Sequence, residues 1–139
     1  VAEYLGDCFD GIKTLNFEKD ENGRIASGMW AKDKEYVPFH PPGAPDTDFV
    51  IEGAVENYLL ALEQHIRYVL RDILDHAKAT TDNWEVDNPR HEWHADYCAQ
   101  LALVGTQIVS TEEITRVFEE LESGSETAMK DYKRICDNR

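Results

Sequence analysis

One apolar stripe in the middle of the chain limits what it can fold into more than any other feature. Between Phe49 and Ala79, the residues Val55, Tyr58, Leu59, Leu62, Ile66, Val69, Leu70, Ile73 and Ala77 recur at spacings of three and four. That period puts them on one side of an α-helix; in a strand, residues two apart would share a face. The spacing therefore predicts a long helix over 49–79, whose stripe must be buried against other elements. On its polar side Glu63 precedes Arg67 by four residues in the favourable order, and Arg71 precedes Asp75 in the weaker one. Those charges read as a solvated face and not as a binding feature.

The remaining pattern is also mostly helical. Tyr4, Leu5, Cys8, Phe9 and Ile12 recur at helical spacing and predict a helix ending within residues 1–13. Glu18 to Gly23 is polar and closes on glycine, which reads as a turn. The period then switches over 24–39. Ile25, Ser27 and Met29 alternate with Ala26, Gly28 and Trp30, and the charged run Lys32-Asp33-Lys34-Glu35 leads into Tyr36-Val37-Pro38-Phe39. This predicts a β-hairpin whose second strand, lacking the Pro38 amide, lies at an edge or ends there. His40 to Pro45 holds three prolines and reads as a connector, and the polar run Thr80 to Pro89 as a loop.

Helices are expected again over 90–137. One carries Trp93, Tyr97, Leu101, Val104 and Ile108; the next starts at Ser110, where Ser110-Thr111-Glu112-Glu113 fits a capping box. Ile114, Val117, Phe118 and Leu121 form its stripe, Gly124 ends or kinks it, and Ala128, Met129, Tyr132 and Ile135 resume the pattern. The fold class is mainly α, amphipathic helices with one small β-hairpin, in a single segment of 139 residues.

Charge narrows the partners. The 28 acidic side chains outnumber the 14 basic ones, for a net charge of −14. Such a surface repels phosphate backbones and anionic headgroups, so nucleic acid and membrane are excluded as expected partners. Basic protein faces fit better. Cys8, Cys98 and Cys136 are odd in number and far apart, which argues for a reducing compartment over a disulfide framework. The ends, Val1-Ala2-Glu3-Tyr4 without a secretory apolar region and Cys136-Asp137-Asn138-Arg139 without a stop signal, read as those of a piece of a longer polypeptide.

Catalytic chemistry is approached but never completed. Gly6-Asp7-Cys8-Phe9-Asp10-Gly11-Ile12-Lys13-Thr14 nearly spells a phosphate-binding loop, yet Ile12 separates Gly11 from Lys13 and two aspartates oppose an anion. His91, His94 and Cys98 stand at i, i+3 and i+7 on an expected helix, short of the four ligands of a structural zinc site. Glu92 follows His91, but His94 comes one residue too early for a zinc-protease helix. No catalytic, cofactor-binding or metal-binding residue is assigned. The candidate interface is the hairpin, where Trp30, Tyr36 and Phe39 put large rings on a short unit. Packing against a neighbouring helix would explain the same rings.

Three blocks, in order, carry a family resemblance. Cys8-Phe9-Asp10-Gly11-Ile12 with Ser27-Gly28-Met29-Trp30-Ala31-Lys32-Asp33-Lys34-Glu35-Tyr36-Val37-Pro38-Phe39 resembles the linker region of dynein heavy chains. Val55-Glu56-Asn57-Tyr58-Leu59 is similar to the start of that region's long helix. Tyr97 to Leu103, Thr106-Gln107-Ile108 and Thr111-Glu112-Glu113 continue the resemblance, and the last run, Phe118 with Leu121 to Tyr132, looks most like axonemal outer-arm heavy chains of the β type. The resemblance implies part of a helical arch lying across a ring of AAA+ modules, bending as the ring hydrolyses ATP. ATP and magnesium would then belong to the ring. The partners would be the rest of the heavy chain, with microtubules met only through the parent motor, in a cytoplasmic or cytoskeletal setting such as a ciliary or flagellar axoneme. A free-standing helical scaffold or adaptor domain is the alternative, and a small metal-binding or hydrolytic domain built on His91, His94 and Cys98 a further one.

The interrupted phosphate loop carries an expected outcome. Calorimetric titration of ATP into the chain should give no binding in the micromolar range, a Kd of about 1 µM corresponding to roughly −8 kcal/mol. Micromolar affinity abolished by Lys13→Ala would reverse this reading.

Overall fold

The computed structural model describes residues 2–20, 23–39, 49–50, 53–81, 84 and 89–138. Helix α1 (Ala2–Cys8) is followed by strands β1 (Ile12–Asp20), β2 (Gly23–Ala31), β3 (Tyr36–Pro38) and β4 (Phe49–Val50). Four helices complete the order: α2 (Val55–Ala79), α3 (Arg90–Asp96), α4 (Ala99–Glu122) and α5 (Ala128–Asn138). The chain divides into two compact units, Val1–Ile73 and Leu74–Arg139.

The first unit is built on β2. It pairs antiparallel with β1 along its length, and its other edge is shared by β3, opposite Gly28–Trp30, and β4, opposite Ile25–Ala26. Two bulges shape the sheet. Lys13 is an extra residue in β1 and Ser27 an extra residue in β2. Each reverses the alternation once, so residues three apart reach the same face. Ile12 and Leu15 are both buried in β1, as are Ala26 and Met29 in β2. Leu15, Met29 and Val37 line up across three strands by register and form the centre of that face.

Helix α2 meets the sheet through rings. The His65 imidazole stacks on Phe49 at 4.7 Å and stands nearly perpendicular to Phe39 at 5.0 Å, while Phe49 lies 5.1 Å from Tyr58. Tyr58, Leu62, Ile66, Val69 and Ile73 are buried along the predicted stripe, whereas Arg67 and Arg71 are exposed. Leu59 and Leu70, at the stripe's margin, are only half-buried. Burial pushes the Tyr58 phenol up to about 12, and its hydroxyl has no hydrogen-bond partner among the described residues.

The second unit is organised around Trp93, which is fully buried with Ala77, Trp84 and Ala102 about it. Its indole Nε1–H donates to the Thr80 hydroxyl at 2.9 Å, and that hydroxyl lies 2.9 Å from the Ala77 carbonyl and 3.0 Å from the Tyr97 hydroxyl. A threonine hydroxyl has one proton. With it given to Ala77, the Tyr97 hydroxyl is the donor toward Thr80, and the whole node is satisfied. Trp84 closes on Trp93 edge to face at 5.1 Å, and Arg90 lies over the Trp84 ring at 5.7 Å. Gly105 admits the indole closely, since a Cβ there would stand 3.2 Å from it.

Several expected boundaries are corrected. The helix expected within 1–13 ends at Cys8, and Ile12 and Lys13 already belong to β1. Glu18 to Asp20, expected in a turn, continue that strand, paired with Gly23 to Ile25. The long helix starts at Val55 and not at 49, because Phe49–Val50 form β4 and Gly53 has a φ of +83°. Within 90–137, the first expected helix breaks at Tyr97, whose backbone is extended, and α4 begins after Cys98. No helix starts at Ser110. Helix α4 runs straight through it, and the Thr111 hydroxyl bonds back to the Gln107 carbonyl at 2.7 Å.

Gly124 does end α4. With φ at +100°, its amide reaches the Leu121 carbonyl and the Ser125 amide the Glu120 carbonyl, both at 3.0 Å, which is the Schellman arrangement. Val104 and Phe118, expected on buried stripes, are exposed. The connector expected at His40 to Pro45 and part of the loop at 80–89 lie outside the described residues.

Leu62 is fully buried in the first half of α2. Leu62→Ala should cost about 2–5 kcal/mol in urea unfolding, the range for a core leucine whose site cannot collapse. A near-neutral change would mean that the stripe is not core.

Candidate interface

The hairpin of β2 and β3 turns through Lys32–Glu35. The Ala31 amide donates to the Glu35 carbonyl at 2.8 Å and the Lys34 amide to the Ala31 carbonyl at 3.1 Å. Asp33 Oδ1 accepts from the Glu35 amide at 3.1 Å, and Lys34 takes a φ of 75°, a left-handed conformation uncommon for a side chain of that size. This turn sets Trp30 directly opposite Tyr36. The rings are 4.9 Å apart and tilted by 45°, the close approach of a cross-strand aromatic pair.

Beneath the pair, Gly28 explains why Tyr36 lies flat. A Cβ at position 28 would stand 2.3 Å from the phenol oxygen, so the ring occupies the space a side chain would take. The Tyr36 hydroxyl points along the strand to the Ser27 carbonyl at a long 3.5 Å, and Asn16 Nδ2 donates to the Ser27 hydroxyl at 2.9 Å. Trp30 remains 39% exposed. The sheet thus presents an aromatic surface on the face away from the core.

Phe39 does not share it. The expected set of Trp30, Tyr36 and Phe39 divides: the structure brings Trp30 and Tyr36 together, and sends Phe39, 1% exposed, into the core against His65. The reason is parity. Phe39 lies two residues after Val37 on the buried face, whereas Tyr36 lies on the other.

The other sequence candidates are dispersed. His91 is exposed on α3, the His94 ring packs 5.4 Å from Trp93, and Cys98 lies beyond the break at Tyr97. The three do not share a helix. Among the described residues no group of three or more His, Cys, Asp or Glu side chains is placed to hold a metal ion. Gly6 to Thr14 run from a helix into a strand, the reverse of the strand–loop–helix order that a phosphate loop requires. None of the described helices is long and apolar enough to cross a membrane.

Sequence reasoning missed Phe49 and His65, which join sheet to helix, because an isolated Phe-Val pair carries no strand period. It also missed the exposed leucine at position 60.

A helical segment carrying a small antiparallel sheet is thus the class that the geometry defines. Residues 1–77 match the family described as dynein heavy chain, N-terminal region 2, and the chain belongs to that family. It is similar over 96% of its length to dynein axonemal heavy chain 11 of Sus scrofa, at 38% identity, and to the ciliary dynein beta chain of Tripneustes gratilla, at 34%. The flagellar outer arm dynein beta chain of Chlamydomonas reinhardtii is 33% identical over 94% of the chain. The chain spans only 3% of the length of each of these relatives. Mainly helical with a small sheet, and similar to heavy chains of axonemal, ciliary and flagellar origin, it is a segment of a dynein motor heavy chain.

The division of the aromatic set has a measurable consequence. Phe39→Ala should lower stability by about 3–5 kcal/mol. Trp30→Ala, which removes a half-open cross-strand contact, should cost roughly 1 kcal/mol. Comparable losses in urea unfolding would place both rings in the core.

Proposed function

We propose that this chain is a non-catalytic, force-transmitting part of a dynein heavy chain linker, moving with the ATP-driven changes of an AAA+ ring in a ciliary or flagellar axoneme. The family match over residues 1–77 carries the proposal, since it spans the whole sheet and most of α2. The architecture supports it. A packed helix and sheet hold their shape through burial distributed over many side chains, as a lever requires. ATP and magnesium are assigned to the parent's ring and not to this chain, and contact with microtubules to the parent motor. The remainder of the heavy chain, ring included, is the partner. The Trp30–Tyr36 surface is the contact element assigned to the lever.

The experiment replaces Trp30 and Tyr36 with Ala in the full motor and measures ATP turnover and microtubule gliding separately. Gliding should fall while basal turnover largely persists, because lever and ring fail differently. Equal loss of both in a folded protein would refute a purely mechanical role. Unchanged gliding would remove the aromatic pair from it.

A further inference from the structure

Beside the core of the first unit runs a groove between the end of α1 and the flank of α2. Its main cavity, of ≈ 730 Å³, has a floor of Phe9, Leu59, Leu60 and Ile66, with Cys8 at one side. A second cavity, of ≈ 340 Å³, shares Cys8, Glu56 and Leu59 with it and extends it past Tyr4. Leu60 is 62% exposed and Tyr4 51% exposed, a large apolar area to leave in water. Leu60 lies off the buried stripe of α2, so the sheet gives no reason for a leucine there.

The rim is acidic. Asp7 comes from α1, and Glu56 and Glu63 from α2. Glu63 is paired with Arg67 at 2.7 Å, but neither Asp7 nor Glu56 has an ion-pair partner among the described residues. An apolar floor between unpaired carboxylates selects a ligand that is apolar along one stripe and cationic beside it. Helix-in-groove recognition has that form, with anchors at i, i+3, i+4 and i+7. A chain of net charge −14 repels an acidic helix before contact.

We propose that the α1–α2 groove docks one basic amphipathic helix of a partner polypeptide, apolar anchors on Leu59, Leu60 and Ile66 and lysine or arginine against Asp7 and Glu56. The proposal stands on the groove itself and holds whether or not the chain transmits force.

The probe is a synthetic helical peptide with leucines at i, i+3, i+4 and i+7 flanked by lysines, compared with a counterpart bearing glutamates in their place. The readout is maleimide alkylation of Cys8 in the intact chain, with Cys136, also exposed but on α5, as internal reference. The lysine peptide should slow Cys8 alkylation roughly tenfold at nine-tenths occupancy and leave Cys136 unchanged. Leu60→Asp should abolish the protection; because Leu60 is exposed, that variant keeps its fold, as circular dichroism can verify. Asp7→Lys combined with Glu56→Lys should transfer the protection to the glutamate peptide. Absence of protection, equal slowing at both cysteines, equal protection by both peptides, or indifference to Leu60→Asp would each overturn the proposal. So would protection of Cys8 by raising the chain's own concentration, which would make the occupant a second copy.

Discussion

Burial of one apolar stripe along α2 is the constraint on which the rest of the structure depends. A helix of 25 residues gains little from its own hydrogen bonds in water, and most of its stability comes from what covers its apolar face. In the first unit Tyr58, Leu62, Ile66, Val69 and Ile73 are buried along that face, and Phe49 of β4 and Phe39 just past β3 meet the helix at Tyr58 and His65. In the second unit the last turns of the same helix supply Ala77, and Thr80 just beyond it receives the indole of Trp93. The strands are too short to stand alone. They persist because α2 needs a surface and they offer one.

The second unit shows how a polar group can organise an apolar core. Trp93 is too large to be buried with its N–H unanswered, and Thr80 answers it while also meeting Ala77 and Tyr97. Satisfied in this way, the node fixes the indole in one orientation, which Gly105 then accepts closely. The polar contacts thus determine orientation, and burial supplies most of the energy.

How much of this was legible depended on whether a local period agreed with the tertiary structure. The stripe of α2 was readable because its period and its packing coincide. The β2–β3 hairpin was readable from its charged turn, although the bulge at Ser27 puts Ala26 and Met29 on one face against the simple alternation. Strand β1 was not, because the bulge at Lys13 puts Ile12 and Leu15 three residues apart on one face, which is the spacing of a helix. Ser110 to Glu113 failed for the opposite reason. Their composition matches a helix start, but apolar packing on both sides carries α4 through, and the Thr111 hydroxyl finds a carbonyl one turn back. Of the interface set, Trp30 and Tyr36 fell together because they are directly opposed across the hairpin. Phe39 is buried on the other side, a distinction that aromatic content alone does not carry. The groove beside α2 was invisible, since it depends on where α1 comes to rest.

The two bulges constrain how a sequence of this kind can gain and lose residues. Lys13 adds a residue to β1 and Ser27 adds one to β2, so that the pairing at Asp20–Gly23 keeps the register of Ile12–Ala31 and only the middle is stepped. Deleting Ser27 alone would make Gly28 and Ala26 neighbours opposite Asn16 and Phe17, keep every other pair to Asp20–Gly23, and remove only the local step. Deleting both residues would restore an ordinary ladder. Each extra residue can therefore be lost by itself, whereas a deletion at a paired position between them would shift the register of its neighbours. In an alignment of such hairpins, single gaps would fall at positions 13 and 27, each independently of the other.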